Sequence, residues 1–142
     1  MKTKVLATLA LSILVGSLAA PLSAQTITLK ANIPFQFVVE GKTMPAGEYL
    51  LQKSGSLFVS LQSFGEKSAV LSPVIVSGIL DSGNQSEARL YFHRYGDQYF
   101  LSGIWDGYID KGLVIPESHT ERELAKSASL GKSDTVFVLA RL

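Results

Sequence analysis

The chain has 142 residues, of which 13 are Lys or Arg and 12 are Asp or Glu, so its formal net charge is +1. The charges are scattered and form no basic run that could follow a phosphate backbone, which argues against a nucleic-acid partner. The chain contains no cysteine, and this excludes both disulfide bonds and a lipid-modified N-terminal cysteine.

Residues 1–24 have the pattern of a secretory signal peptide. Lys2 and Lys4 provide a basic start, residues 5–20 form an apolar run that is short for a membrane span, and cleavage is expected after Ala24. The alternative is a retained membrane anchor. We predict cleavage, which leaves residues 25–142 as a single β-rich domain that is secreted or periplasmic and has no stable membrane span.

The first part of that domain has the pattern of strands. Residues 25–39 largely alternate between apolar and other side chains, as a strand with one buried face does, and Pro34 predicts a bend because it has no backbone N–H. Residues 49–52 and 57–62 predict a hairpin, and residues 68–79 predict an interrupted strand. Turn residues recur about every ten positions, a spacing typical of a sandwich or a barrel.

The most apolar and aromatic part of the domain is residues 89–105, which we predict to be the central β-hairpin. Its loop is Gly96-Asp97, because glycine tolerates the positive φ that a two-residue hairpin turn needs. Neither face is polar, so we expect cover on both sides. One face would carry Leu90, Phe92, Tyr99, Leu101 and Trp105, and the other Tyr91, His93, Tyr95, Phe100 and Ile104.

After the hairpin the sequence predicts one helix and a closing strand. Ser118 and Glu121 have the spacing of a capping box, and the helix should end at about residues 126–129. Residues 136–142 have the composition of a strand. The predicted fold is mainly β: a single antiparallel β-sandwich or partly open barrel of about seven to nine strands with one C-terminal helix.

Three segments carry a resemblance to a known family. They are residues 33–49, reading IPFQFVVEGKTMPAGEY, residues 92–105 of the hairpin, and residues 116–124, reading PESHTEREL. In these segments the chain resembles small secreted proteins of unknown function that are numerous in soil bacteria of the Acidobacteria type. The resemblance implies an exported β-rich domain, and it implies no catalytic residues because the family has no established activity.

Five residues of the hairpin are candidates for a binding surface: Tyr91, His93, Arg94, Tyr95 and Trp105. The rings of Tyr91, Tyr95 and Trp105 could stack on a sugar, although aromatic side chains in a β-domain most often belong to the core. His93 is more simply a packed or hydrogen-bonded structural residue. Arg94 could stack on Tyr99. It could otherwise pair with Glu121 or Glu123 of the helix.

We predict no catalytic residues, no metal and no cofactor. Asp106 and Asp110 lack the alternating acidic spacing of a calcium loop. His119 and Glu123, at i and i+4 of the helix, would supply only two metal ligands. No serine lies in a G-x-S-x-G elbow, so a hydrolase that uses His93 or His119 is the weakest hypothesis.

These features favour a non-catalytic exported protein that acts as a structural or protein-interaction module of the cell envelope or the extracellular space. Its partner would be a second copy or another envelope protein, bound to an exposed strand edge at residues 27–33 or 136–142. These two strands could instead pair within the domain. The alternative function is a small-ligand or carbohydrate-binding β-domain that uses its aromatic face or its interior.

Overall fold

The computed structural model describes residues 28–65, 68–77, 87–107, 112–127 and 133–142. The predicted signal peptide at residues 1–24 and Asp110 lie outside these ranges. The described residues form strands and one helix: β1 (Thr28–Ile33), β2 (Phe37–Val39), β3 (Lys42–Met44), β4 (Gly47–Ser54), β5 (Phe58–Ser63), β6 (Ala69–Pro73), β7 (Ile75–Ser77), β8 (Arg89–Tyr95), β9 (Gln98–Trp105), β10 (Gly112–Val114), α1 (His119–Ser127) and β11 (Asp134–Arg141).

The strands form one sheet that is nearly closed into a barrel. Hydrogen-bonded neighbours follow the order β3-β2-β9-β8-β11-β1-β4-β5-β6, and β10 pairs with both β9 and β7. Strand β7 follows β6 in the chain with only Val74 between them, and β7 is linked to β9 through β10. The β6 end of the sheet is thereby brought back to β9. The fold is therefore mainly β with one helix, as predicted, and it is barrel-like. Strands β2, β3, β7 and β10 raise the number of strands above the prediction, because each is only 3 residues long.

The predicted central hairpin is present as β8 and β9. Its register pairs His93 with Phe100 and Phe92 with Leu101, as predicted. The loop begins at Gly96, whose φ of 64° lies in the left-handed region that glycine adopts readily. Every residue of β9 from Phe100 to Trp105 is buried. The hairpin therefore lies in the middle of the sheet. Its β9 strand is covered on both faces from Phe100 onward, and its β8 strand is only partly covered on the outer face.

A β-bulge beyond Phe92 shifts the register of the hairpin, so that Leu90 pairs with Ile104 and Arg89 pairs with Trp105. Cross-strand partners share a face, and both Leu90 and Ile104 belong to the buried core. Trp105 lies on the outer face with Arg89. The predicted faces of Ile104 and Trp105 are therefore wrong, because the bulge adds one residue that alternation along the sequence does not reveal.

Side chains from strands all round the barrel fill its interior. The ring centroid of Phe92 lies 5.5 Å from that of Phe37 and 5.1 Å from that of Phe35. A barrel of about eight strands is just wide enough to be filled in this way. The largest fully buried side chains are Tyr49, Phe37, Phe92, Leu29, Ile33, Met44, Leu51, Leu61 and Leu90.

The short hairpin of β2 and β3 pairs with β9 and contacts β6 through a side-chain hydrogen bond. Strand β2 runs parallel to β9 and pairs with it at Val38, which departs from the purely antiparallel sheet that was predicted. Its turn contains Glu40 and Gly41, with φ values of 50° and 70°, as a type I′ turn requires. From this turn the Glu40 carboxylate accepts a hydrogen bond of 3.2 Å from the Ser72 hydroxyl on β6.

The first and last strands pair with each other inside the domain. Of the two predicted arrangements, an exposed edge or pairing within the domain, the structure has the pairing. Strand β1 pairs with β4 along its whole length, and it pairs with β11 at Ala140 and Arg141. Residues 134–139 of β11 pair with β8 on the other side. The β1–β11 ladder therefore covers only one end of β11. In the described part of the chain, no helix has both the length and the apolar character that crossing a membrane requires.

Replacing Phe92 with Ala should lower the free energy of unfolding by about 3–5 kcal/mol, because the variant leaves a cavity in the filled interior. Phe58→Ala is the matched control, since the Phe58 ring is 41% exposed, and it should cost less than about 1 kcal/mol. Urea denaturation followed by circular dichroism measures both losses. Equal losses in the two variants would contradict the described packing.

Candidate functional site

The outer face of the hairpin brings together four of the five predicted binding residues. Tyr91, His93 and Tyr95 alternate along β8 with the buried core residues, so they face outward. The bulge places Trp105 on the same side. Arg94 lies on the opposite side, because it alternates with His93 and pairs with Tyr99.

Helix α1 packs against this outer face through its first turn. Ser118 accepts a hydrogen bond of 3.2 Å from the backbone N–H of Glu121, which confirms the predicted N-cap. The cap orients the first turn so that the side chain of Glu121 is directed at β8, where only 3% of the residue remains exposed. A carboxylate buried to this extent needs a polar or charged partner.

The partner of Glu121 is His93. Oε1 of Glu121 lies 2.7 Å from Nδ1 of His93, and the same oxygen accepts a hydrogen bond of 3.4 Å from the Tyr95 hydroxyl. The ring of Tyr95 packs edge to face against Phe100, with centroids 5.8 Å apart. These contacts hold the helix on the hairpin. His93 thus has the hydrogen-bonded structural role that the sequence favoured.

Arg94 has a separate, local role at the hairpin turn. Its Nε donates a hydrogen bond of 2.7 Å to the carbonyl oxygen of Gly96, and its guanidinium carbon lies 5.7 Å from the ring centroid of Tyr99. The predicted stacking on Tyr99 is confirmed. The predicted pairing of Arg94 with an acid of the helix is wrong, because Arg94 points away from the face that the helix covers. Glu121 binds His93 instead, and Glu123 binds Lys126 at 3.0 Å.

The environment of the cluster raises the pKa of two side chains. The hydrogen bond with Glu121 raises the pKa of His93 above its ordinary value of 6.5, although burial acts in the opposite direction, and the negative charges of Glu121 and Glu117 add to the rise. Burial raises the pKa of Tyr95 above 10.0, with a smaller opposing effect from a hydrogen bond with Ser133. His93 therefore keeps its proton to higher pH than a free imidazole does.

A third donor, Glu117, approaches the pair formed by His93 and Glu121. One ligand atom from each of the three residues lies within 4.8 Å of the other two. Imidazole and carboxylate groups are ligands that divalent transition metals accept. This cluster does not contain His119 or Glu123, the pair considered from the sequence.

The sequence contains only a partial signal for this cluster. Glu117 comes directly before the N-cap Ser118 and Glu121 lies in the first turn, so both carboxylates belong to the start of the helix. His93 is 28 residues away from Glu121 in the chain. No local pattern in the sequence connects His93 with the two glutamates, so the sequence does not indicate a role for Glu117.

Beside the helix, the outer side of β11 is apolar and exposed. Phe137 and Leu139 are each 52% exposed, and Leu142 is 64% exposed. On the neighbouring strand, Tyr91 pairs with Phe137, and the guanidinium carbon of Arg89 lies 4.3 Å from the Phe137 ring centroid. We call the surface formed by Arg89, Tyr91, Phe137, Leu139 and Leu142 the β11 face. The β11 face could have been found in the sequence, because residues 136–139 are all apolar. Successive side chains of a strand point to opposite sides, so one side of β11 has to be apolar and outward-facing.

An open groove of about 1010 Å³ continues from the β11 face. Leu139 and Leu142 line it, together with charged residues of both signs: Lys30, Arg141, Glu48, Glu87 and Asp106. Apolar side chains therefore lie next to acids and bases on one continuous surface.

Trp105 is not available as a stacking platform, because only 5% of it is exposed. Its indole Nε1 and the Nε of its cross-strand partner Arg89 are both buried, and neither has a hydrogen-bond partner within the described ranges. A sugar-binding role needs an exposed ring. The predicted contribution of Trp105 to such a surface is therefore not supported.

Comparison of this chain with protein-family models, with curated proteins and with solved structures finds no match in any of the three. The resemblance to small secreted proteins therefore stays a prediction. The site must be interpreted from its own geometry.

His93→Gln should lower the free energy of unfolding more at about pH 6 than at about pH 9. The pKa of His93 is raised, so its charged contact with Glu121 stabilises the fold at low pH and not at high pH. The stabilisation is complete below the unfolded pKa of 6.5 and is lost as pH rises through the higher folded pKa. We expect a pH-dependent difference on the order of 1 kcal/mol.

Urea denaturation of the wild type and of the variant at each pH, with a chelator in all buffers, measures this difference. His119→Gln is the control, because His119 is the other histidine and is exposed. A difference that stays constant with pH would show that the charged contact does not contribute.

Proposed function

We propose that this protein is an exported, non-catalytic structural module that associates with a second copy of itself through the β11 face. The exposed apolar side chains of β11 are the observation that carries the proposal. Phe137, Leu139 and Leu142 are each more than half exposed and lie along one strand and its end. Apolar side chains clustered on a surface mark sites where another molecule binds.

The charges beside the β11 face favour a second copy as the partner. The groove contains the bases Lys30 and Arg141 together with three acids, so it carries the two signs of charge that a self-complementary surface needs. A two-fold axis between the bases and the acids would place the bases of one copy opposite acids of the other, as in an isologous interface. A partner with a single sign of charge would meet repulsion on one side of the groove.

The backbone of β11 supports the same mode of association. Over residues 134–139, β11 pairs with β8, while the ladder with β1 covers only Ala140 and Arg141. Part of the other edge of β11 therefore lies outside the β1 ladder. Such an edge can add a strand from a partner, which is one of the general modes of protein recognition.

The alternative of a small-ligand or carbohydrate-binding domain has less support. The interior that would hold a ligand is occupied by large side chains such as Phe37, Tyr49 and Phe92. On the outer face, Trp105 is buried, and the hydroxyl of Tyr95 is engaged with Glu121. A ligand-binding function would have to use surfaces other than these.

The double variant Phe137→Asp, Leu139→Asp should weaken self-association by at least about tenfold, because it places charges in the centre of the apolar surface. The matched control is Leu71→Asp, Ile75→Asp, since these two residues are 56% and 58% exposed but belong to β6 and β7. Sedimentation velocity over a range of concentrations measures the association. Circular dichroism verifies that both variants are folded.

A wild-type chain that stays monomeric at the highest attainable concentration would overturn the proposal. Equal weakening by both double variants would also overturn it, since the effect would then not belong to the β11 face. Export is tested separately, by determining the N-terminal residue of the protein recovered from the medium or the periplasm.

A further inference from the structure

We propose that His93, Glu117 and Glu121 bind one divalent transition-metal ion, and that zinc is the expected ion. A ligand atom of each residue lies within 4.8 Å of the other two. Ligands held at about 2.0–2.2 Å from an ion can be no more than about 4.4 Å apart. Small movements of these side chains therefore bring all three donors into one coordination sphere.

Two of the three donors are already held in place. Glu121 is buried, and the Ser118 cap orients the first turn of the helix. Nδ1 of His93 lies 2.7 Å from Oε1 of Glu121, closer than two ligands of one tetrahedral zinc ion, so the ion would replace the proton of this hydrogen bond and the two atoms would separate slightly. The Tyr95 hydroxyl, 3.4 Å from the same oxygen, is the kind of supporting contact that metal-binding carboxylates have. Glu117 is exposed, so its side chain can turn toward this pair.

The chemistry of the donors selects the class of ion. The cluster has one imidazole and two carboxylates. When the imidazole is neutral, two negative charges lie close together without a compensating charge, and a divalent cation between them removes the repulsion. Calcium and magnesium prefer oxygen ligands alone, whereas zinc and similar transition metals accept the imidazole nitrogen.

The ion would act as a cross-link between the helix and the barrel. It would join β8 to the start of α1, two segments that are 28 residues apart at His93 and Glu121. A chain without cysteine cannot make this connection with a disulfide. Metal binding contributes to folding stability in such cases, because the unfolded chain has no preformed site. The β11 face is not involved, so this inference does not depend on the proposed function.

Isothermal titration calorimetry with zinc chloride tests the site on the tag-free chain after chelator treatment. We expect one zinc ion per chain with a dissociation constant in the micromolar range or below, and no saturable binding of magnesium. Glu117→Gln should weaken zinc binding by at least about tenfold, because the amide is a poor ligand. This variant leaves the contact between His93 and Glu121 intact, so the fold should be kept.

Glu123→Gln and His119→Ala are the matched controls, because both residues are exposed on the same helix and lie outside the cluster. Zinc affinity should be unchanged in both. Nitrogen NMR of the imidazoles separates ligation from a structural role: zinc should shift a ring nitrogen of His93 and leave those of His119 in place. Absence of saturable zinc binding, full affinity in Glu117→Gln, or loss of binding in a control variant would each overturn the proposal.

Discussion

The register of the β8–β9 hairpin is the constraint on which the rest of the structure depends. It directs Phe92 and Leu101 into the barrel and directs His93 and Phe100 outward. The inward side chains join the core that the whole sheet surrounds, while the outward side chains form the surface against which the helix packs. A slip of one residue would exchange the two sets and would place an imidazole in the apolar interior.

A polar contact between Glu121 and His93 joins the helix to the barrel, and Leu124 and Ala125 of the helix are half-buried. Glu121 is the buried residue among those described in the helix, and its carboxylate is stable there because the hairpin presents His93 to it. Burial of a carboxylate without such a partner is costly. The same juxtaposition raises the pKa of His93 and brings Glu117 near both residues. Stability, protonation and the proposed metal site therefore have one structural origin.

Because the interior of the barrel is filled, a binding surface has to lie on its outside. Phe37, Tyr49 and Phe92 occupy the space that a ligand-binding barrel would leave open. The outer side of β11, in contrast, keeps Phe137 and Leu139 half exposed next to a groove that carries both signs of charge. The helix covers one part of the outer surface of β8, and the β11 face begins beside it. The proposed interaction module would use this division of the surface.

The sequence by itself determined those features that depend on residues a few positions apart. Gly96 defined the hairpin turn and Ser118 defined the start of the helix, and the alternation of β1 identified its inward side chains. The bulge that turns Trp105 outward and the contact of His93 with Glu121 were decided only by the tertiary structure. They depend on how a closed sheet curves and on which distant surfaces meet, and both result from many weak contacts between segments far apart in the chain. Local spacing therefore defines which side chains face outward where a strand is regular, whereas long-range packing determines where bulges interrupt the alternation and which side chains come together as a site.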